Sequence, residues 1–204
     1  MKLFIDFDNT IANSSEVIVD MLNEHFGKNE NFEKLRKYDF SDLFPECSYW
    51  DIEKFFNSDE MFERLKIFPN MIETVDAFKD FFDEISIVTI GTKDNLENKK
   101  RFLKENNLEL TFYGIENNGR SDKSSVDMHN GVFIDDHIGC LHSSNAKIKI
   151  LMKNVENGEW NKVEPNDDIY VVNNWYEVYS IFDFIKKNKE LYLSLIHISE
   201  PTRH

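Results

Sequence analysis

The chain has 204 residues, 41% of them hydrophobic, and a formal net charge of −14, which suits one globular domain plus a small insertion. Duplex nucleic acid and an anionic membrane face are disfavoured as partners, because both depend on Lys and Arg contacts to phosphate. Two distant cysteines, Cys47 and Cys140, no apolar run of membrane-spanning length, and acidic residues where a signal peptide would be apolar point to a soluble, cytoplasmic protein with reduced thiols.

Residues 2–7 (KLFIDF) carry the first strand signal and run into a turn of Asp, Asn and Thr. Alternation along a strand puts Asp6 and Asp8 on one side, where like charges oppose each other's ionisation. Residues 14–66 then show no strand signal and look helical throughout. Val17, Met21 and Phe26 form one stripe, Gly27 supplies a stop, and further helices fit 31–38 and 51–64. This stretch reads as a helical insertion after the first strand. Residues 72–83 place Ile72, Val75, Phe78, Phe81 and Phe82 on one helical face.

A second strand, 85–90 (ISIVTI), leads into Gly91 and Thr92, and a helix over 94–106 opens with Asp94 as N-cap and Glu97 three residues later. Strand signals recur at 110–115, 132–134, 147–151 and 169–172, and a last helix fits 174–187 on Trp175, Val178, Ile181, Phe182 and Ile185. The segment 153–168, rich in Asn, Asp and Gly, reads as a surface loop. The final twelve residues, 193–204 (LSLIHISEPTRH), resemble a translated sequencing adaptor and are expected to be a non-native tail. Short apolar strands alternating with helices predict an α/β fold, a parallel sheet covered on both faces. Its core comprises 1–13 and 67–192, with 14–66 as the insertion.

Open α/β sheets bind ligands at the carboxyl ends of their strands. Collected there are Asp6 and Asp8, then Thr89, Ile90 and Gly91, then Lys123 with Arg120 as a bystander, and finally Asp135 and Asp136. Four carboxylates would repel one another without a cation. Mg²⁺ suits best, since it takes oxygen ligands and fills its remaining positions with water and substrate phosphate. The Thr89 hydroxyl and backbone N–H groups of the Ile90–Gly91 turn can cradle an anion, and Lys123 adds a positive charge. A carboxylate nucleophile splits phosphate-ester hydrolysis into two steps, and a second carboxylic acid can shuttle the proton. Asp6 and Asp8 fit those roles. Neighbours on a strand point apart, so only one of Asp135 and Asp136 is expected to bind the metal directly. His25, His129, His137 and His142 show no metal-ligand spacing.

"DFDNT", "VTIGT", "DK" and "IDD" stand in the order of the four motifs of the haloacid dehalogenase-like (HAD) phosphatases, which this chain resembles. The resemblance implies a Rossmann-like sheet with a small helical cap inserted after the first strand. It also implies metal ligation by the Asp6 side chain, the Asp8 backbone carbonyl and an acid of the fourth motif. Within the superfamily, "FFNSDEMFERLKIFPNMIETVDAFKD", "RSDKSSVD" and "NNWYEVYSIFDFI" resemble the 5′(3′)-deoxyribonucleotidases. That similarity favours Asp136 as the ligand, with Asp135 behind it, and aligns Phe56 and Phe62, with Trp50 nearby, to positions contacting a base. An aromatic stripe on helices is equally a core signature. The implied activity is a Mg²⁺-dependent phosphomonoesterase acting on deoxyribonucleoside monophosphates. The alternatives are a phosphatase for another small metabolite or a non-catalytic phosphate- or metal-binding module. The expected partner is a small phosphorylated molecule, with no nucleic-acid polymer and no membrane, and a homodimer is left open.

Overall fold

The computed structural model describes residues 1–117 and 122–188; Arg120 and the expected tail at 193–204 lie outside them. Among the described residues six strands form one sheet: β1 (Lys2–Ile5), β2 (Glu84–Gly91), β3 (Thr111–Glu116), β4 (Val132–Asp135), β5 (Ile148–Met152) and β6 (Tyr170–Val172). Their spatial order is β3-β2-β1-β4-β5-β6, and every pairing is parallel. All six strand signals of the sequence are realised. β1 is central, and the strand order reverses across it, which makes its carboxyl end the topological switch point where such sheets bind ligands.

The pleat sends alternate residues to opposite faces. Leu3, Ile5, Ile87, Val132, Ile134 and Ile150 belong to the larger apolar core, and Phe4, Val88, Phe133 and Leu151 to the smaller one. The larger core is shared by α1 (Ser14–Phe26), α4 (Met71–Phe78), α5 (Lys93–Glu105) and α7 (Trp175–Lys187), the smaller by α6 (Ile138–Ser143). Both faces are thus covered, as parallel strands require.

The stretch 14–66 contains no strand, as its composition predicts, but it is not helical throughout. α1 ends at Gly27, which takes the left-handed conformation at φ 63°. The helix expected at 31–38 is a single 3₁₀ turn, Phe32–Lys34, because Leu35 leaves in an extended conformation. The helix expected at 51–64 is two, α2 (Tyr49–Phe56) and α3 (Asp59–Arg64). A capping box of Ser48 and Asp51 starts α2, and the Ser58 side chain accepts from the Met61 N–H to start α3. α5 begins one residue before its expected start, capped by Thr92 Oγ1, which accepts from Asn95 N at 3.2 Å, and not by Asp94. α4 stops at Phe78 and buries Met71, while Ile72 is exposed.

One contact ties the last helix to the first motif. Trp175, buried on α7, donates its indole N–H to the Thr10 carbonyl at 2.8 Å. Trp175→Phe shrinks the buried ring and removes that carbonyl's indole donor, so unfolding free energy should fall by about 1–3 kcal/mol. Denaturant unfolding monitored by circular dichroism measures it.

Candidate active site

The strand ladder runs one residue beyond β1, since Asp6 N donates to Ile134 O at 2.9 Å. Asp6 therefore stands at the end of the central strand, buried between its neighbours. Lys123, which follows β3, is buried too and spends its ammonium on three acceptors: Asp6 Oδ1 at 2.5 Å, Asp135 Oδ2 at 2.6 Å and Val88 O at 2.8 Å. Asp135 Oδ1 accepts from His137 N at 2.8 Å, so both of its oxygens are engaged.

Asp136 is arranged differently. Its Oδ2 accepts from Asn9 Nδ2 and from Trp160 Nε1, each at 3.1 Å. Asn9 reaches it from the left-handed conformation, φ 51°, which Asn tolerates, and is fixed by Ser15 N donating to its Oδ1 at 2.9 Å. Oxygens of Asp6, Asp135 and Asp136 all lie within 4.8 Å of one another. Sequence alternation separates Asp135 from Asp136; the structure unites them because β4 ends at Asp135.

Burial pushes the Asp6 carboxyl up to about 7, with Asp135 and Asp8 adding to the rise against Lys123. Burial also holds Asp136 well above the ordinary carboxylate range, reinforced by Asp135 and Asp6. For Lys123, burial alone would lower the pKa, but Asp135 and Asp6 outweigh it and raise it. One ammonium thus faces three buried carboxylates. The all-oxygen donor set and this charge imbalance fit a small hard divalent cation, which would favour the ionised acids.

Asp8 lies outside that trio and is only partly buried. Its Oδ2 accepts from Lys99 Nζ at 2.5 Å and its Oδ1 from Ser14 Oγ at 2.6 Å. Lys99 is fully buried and also donates to Thr89 Oγ1 at 2.9 Å and Ile90 O at 3.0 Å. Sequence reasoning missed Lys99. The available signal is its place on the buried stripe of α5, at three- and four-residue spacing from Leu96 and Leu103. A lysine on such a face needs a buried acceptor.

These groups open on a cavity of about 340 Å³, within the range of small-ligand sites. Asp6, Asp8, Thr89, Ile90, Gly91, Lys123, Asp135 and Asp136 all line it. A Cβ at Gly91 would run into the Asn95 side chain. From the insertion come Tyr38, Tyr49, Ile52, Glu53 and Phe56. Phe56 is thus placed at the cavity, whereas the other two aromatics proposed from the sequence are not. Phe62 packs against Phe7 at 6.3 Å and Phe102 at 6.5 Å in the core. Trp50 is 73% exposed, because its neighbour Tyr49 takes the inward side of α2.

The end of α2 is clamped to α5: Thr92 Oγ1 donates to Asn57 Oδ1 at 2.6 Å, Asn95 Nδ2 to Phe56 O at 2.6 Å and Asn98 Nδ2 to Asn57 O at 3.1 Å. The segment 153–168, expected as a surface loop, instead buries Trp160 in a 3₁₀ turn, Glu159–Asn161, and brings it to Asp136. His137 also lines the cavity; its Nδ1 accepts from Gly139 N at 3.0 Å and caps α6.

Residues 1–189 match the family model described as 5′ nucleotidase, deoxy (pyrimidine), cytosolic type C protein. No curated protein matches the chain in sequence. Among solved structures, a predicted phosphatase from Clostridium acetobutylicum superposes with a TM-score of 0.62 at 15% identity, covering 89% of this chain and 97% of its own. A HAD-superfamily hydrolase from Ehrlichia chaffeensis gives a TM-score of 0.55 at 15% identity, covering 88% and 94%. A candidate HAD-hydrolase from Bacillus subtilis, YfnB, described as bound to magnesium, gives 0.55 at 13% identity, covering 88% and 97%. These likenesses confirm the HAD-type α/β fold. Among the described residues no helix is long and apolar enough to cross a membrane.

The carboxylate trio makes a prediction that needs no substrate. A divalent cation present at one hundred times its dissociation constant should stabilise the wild type by about 2.7 kcal/mol. Asp136→Asn should lose most of that gain. Thermal melts with Mg²⁺ and with EDTA measure both.

Proposed function

We propose that this chain, which belongs to the 5′ nucleotidase, deoxy (pyrimidine), cytosolic type C family and is by that membership a phosphoric monoester hydrolase, removes phosphate from deoxyribonucleoside monophosphates with Mg²⁺ as its cofactor. The observation carrying this reading is the contrast between two acids two residues apart. Asp6 is buried against Lys123 where it lines the cavity, and Asp8 is partly open to solvent, its side chain 18% exposed, against Lys99 and Ser14. Two carboxyl groups in different environments can divide nucleophile and acid–base duties.

In this proposal Asp6 attacks phosphorus and the phosphoryl–oxygen bond to the leaving alcohol breaks, giving an aspartyl phosphate. Asp8 gives its proton to the leaving oxygen, then takes one from the water that hydrolyses the intermediate. Lys99 balances the charge Asp8 gains on release and joins it to Thr89. The Thr89 hydroxyl and the N–H groups of Ile90 and Gly91 receive the phosphoryl oxygens, and Lys123 adds its positive charge beside them, held in place by Asp6, Asp135 and the Val88 carbonyl. Asp6, Asp136 and the Asp8 carbonyl would hold the metal, while Asp135, with both oxygens engaged, orients Lys123. When bound, Mg²⁺ supplies Lewis-acid stabilisation of negative charge on the transferring group.

The insertion 14–66 serves as a cap that excludes water and selects the substrate. Tyr49 and Phe56 present aromatic surface to the cavity. By analogy with single-stranded nucleic acids, stacking is worth about 1–3 kcal/mol per base.

Phosphate release from deoxyribonucleotides, ribonucleotides, sugar phosphates and p-nitrophenyl phosphate tests the reading. Pyrimidine deoxyribonucleotides should lead, and EDTA should abolish turnover. Asp6→Asn should lower kcat by at least about a thousandfold, since a carboxamide neither attacks nor forms the acyl phosphate. Lys99→Met should lower it by about a hundredfold with little change in KM. Release from the generic ester alone would overturn the nucleotide assignment and leave the chemistry standing.

A further inference from the structure

We infer that Trp160 is a positioning residue for the cation site: its indole N–H fixes the rotation of Asp136 so that one carboxylate oxygen faces Asp6. The inference rests on the metal-dependent reading above and concerns a segment, 153–168, that carries none of the four motifs.

Trp160 Nε1 and Asn9 Nδ2 converge on the same atom, Asp136 Oδ2. Two N–H donors on one oxygen restrain the carboxylate's rotation and leave Oδ1 as its ligand atom. Donors of this kind orient ligating groups and tune their affinity. Asn9 comes from the first-motif turn itself, whereas Trp160 is delivered from 24 residues beyond Asp136. Losing either one loosens the carboxylate.

The segment is shaped around the indole. Gly158 leaves room for the ring, since a Cβ there would sit 3.1 Å from two of its carbons, Cη2 and Cζ3. Asn161 Nδ2 donates to Val155 O at 2.9 Å and closes the loop behind it. On the insertion side, Glu159 N donates to Arg36 O at 2.7 Å, and the Tyr38 ring meets the indole edge-on at 5.7 Å. Trp160 is thus gripped from both sides, and 6% of it remains exposed. A tryptophan serving only as core would not need an N–H directed at a candidate metal ligand.

The test uses the full chain with ¹⁵N-labelled tryptophan. Three indole resonances are expected, from Trp50, Trp160 and Trp175. Tyr38→Leu assigns the Trp160 signal by removing the ring current of its edge-on neighbour. Mg²⁺ alone should move that signal saturably in the wild type. In Trp160→Phe, the Mg²⁺ dissociation constant measured by calorimetry should rise about tenfold or more. Turnover of that variant should recover to within a few-fold of wild type at saturating Mg²⁺. A folded Trp160→Phe with an unchanged dissociation constant overturns the inference while the metal-dependent reading stands. Should that variant fail to fold, a Trp160 resonance indifferent to Mg²⁺ in a wild type that binds the ion overturns it equally. Absence of Mg²⁺ binding by the wild type removes the metal-dependent reading and the inference together.

Discussion

The rest of the site depends on one buried ammonium. Lys123 lies between Asp6 and Asp135 at the end of the central strand, shielded from water. Taking such charges out of water costs several kcal/mol per ion, and only close, hydrogen-bonded partners offset it. Lys123 has three acceptors within 2.8 Å. β1, β2 and β4 therefore cannot shift relative to one another without uncovering a charge. The sheet core supplies the rigidity; the ion cluster sets the register of the chemistry.

The cluster is built unbalanced, and function follows from the imbalance. Asp6, Asp135 and Asp136 crowd together around a single positive charge. Burial raises the pKa values of all three, and repulsion from the neighbouring acids adds to the rise for Asp6 and Asp136. Such a site gains from a cation, and a phosphate dianion gains from the same cation. Asp8 escapes the crowding because Lys99 and Ser14 draw its carboxylate away from the trio. One sheet edge thereby carries two acids in different settings, one fully buried and one partly open to the cavity.

The insertion forms a separate layer against the cavity. The insertion reaches the cavity through α2, whose end is tied to α5 by three side-chain amides and a threonine. A second contact runs through Arg36 and Tyr38 to the segment holding Trp160. Beneath these two anchors the insertion also shares the larger apolar core, through residues such as Phe62 against Phe7 and Phe102.

The sequence alone determined the sheet, because each strand is a short β-branched or aromatic run, continuous and buried in the central strands β1 and β4, and neither length nor composition fits a helix. It also determined the order of acids, threonine and lysine at the strand ends, since period-two alternation and turn chemistry are local properties. Tertiary structure decided what depends on separation in space. Lys99 sits 91 residues from Asp8, and its polar neighbourhood, NKKRF, hides a position that only helix packing makes buried. Phe56, Phe62 and Trp50 look alike in sequence, yet one faces the cavity, one fills the core and one meets solvent, because helix rotation is set by the partners on which each helix packs. Trp160 lies in a stretch whose Asn, Asp and Gly content reads as loop, and its contact with Asp136 exists only because the chain after β5 folds back over the switch point. Local patterns specify elements; the energy of burying a charge or a ring is known only once its neighbours are in place.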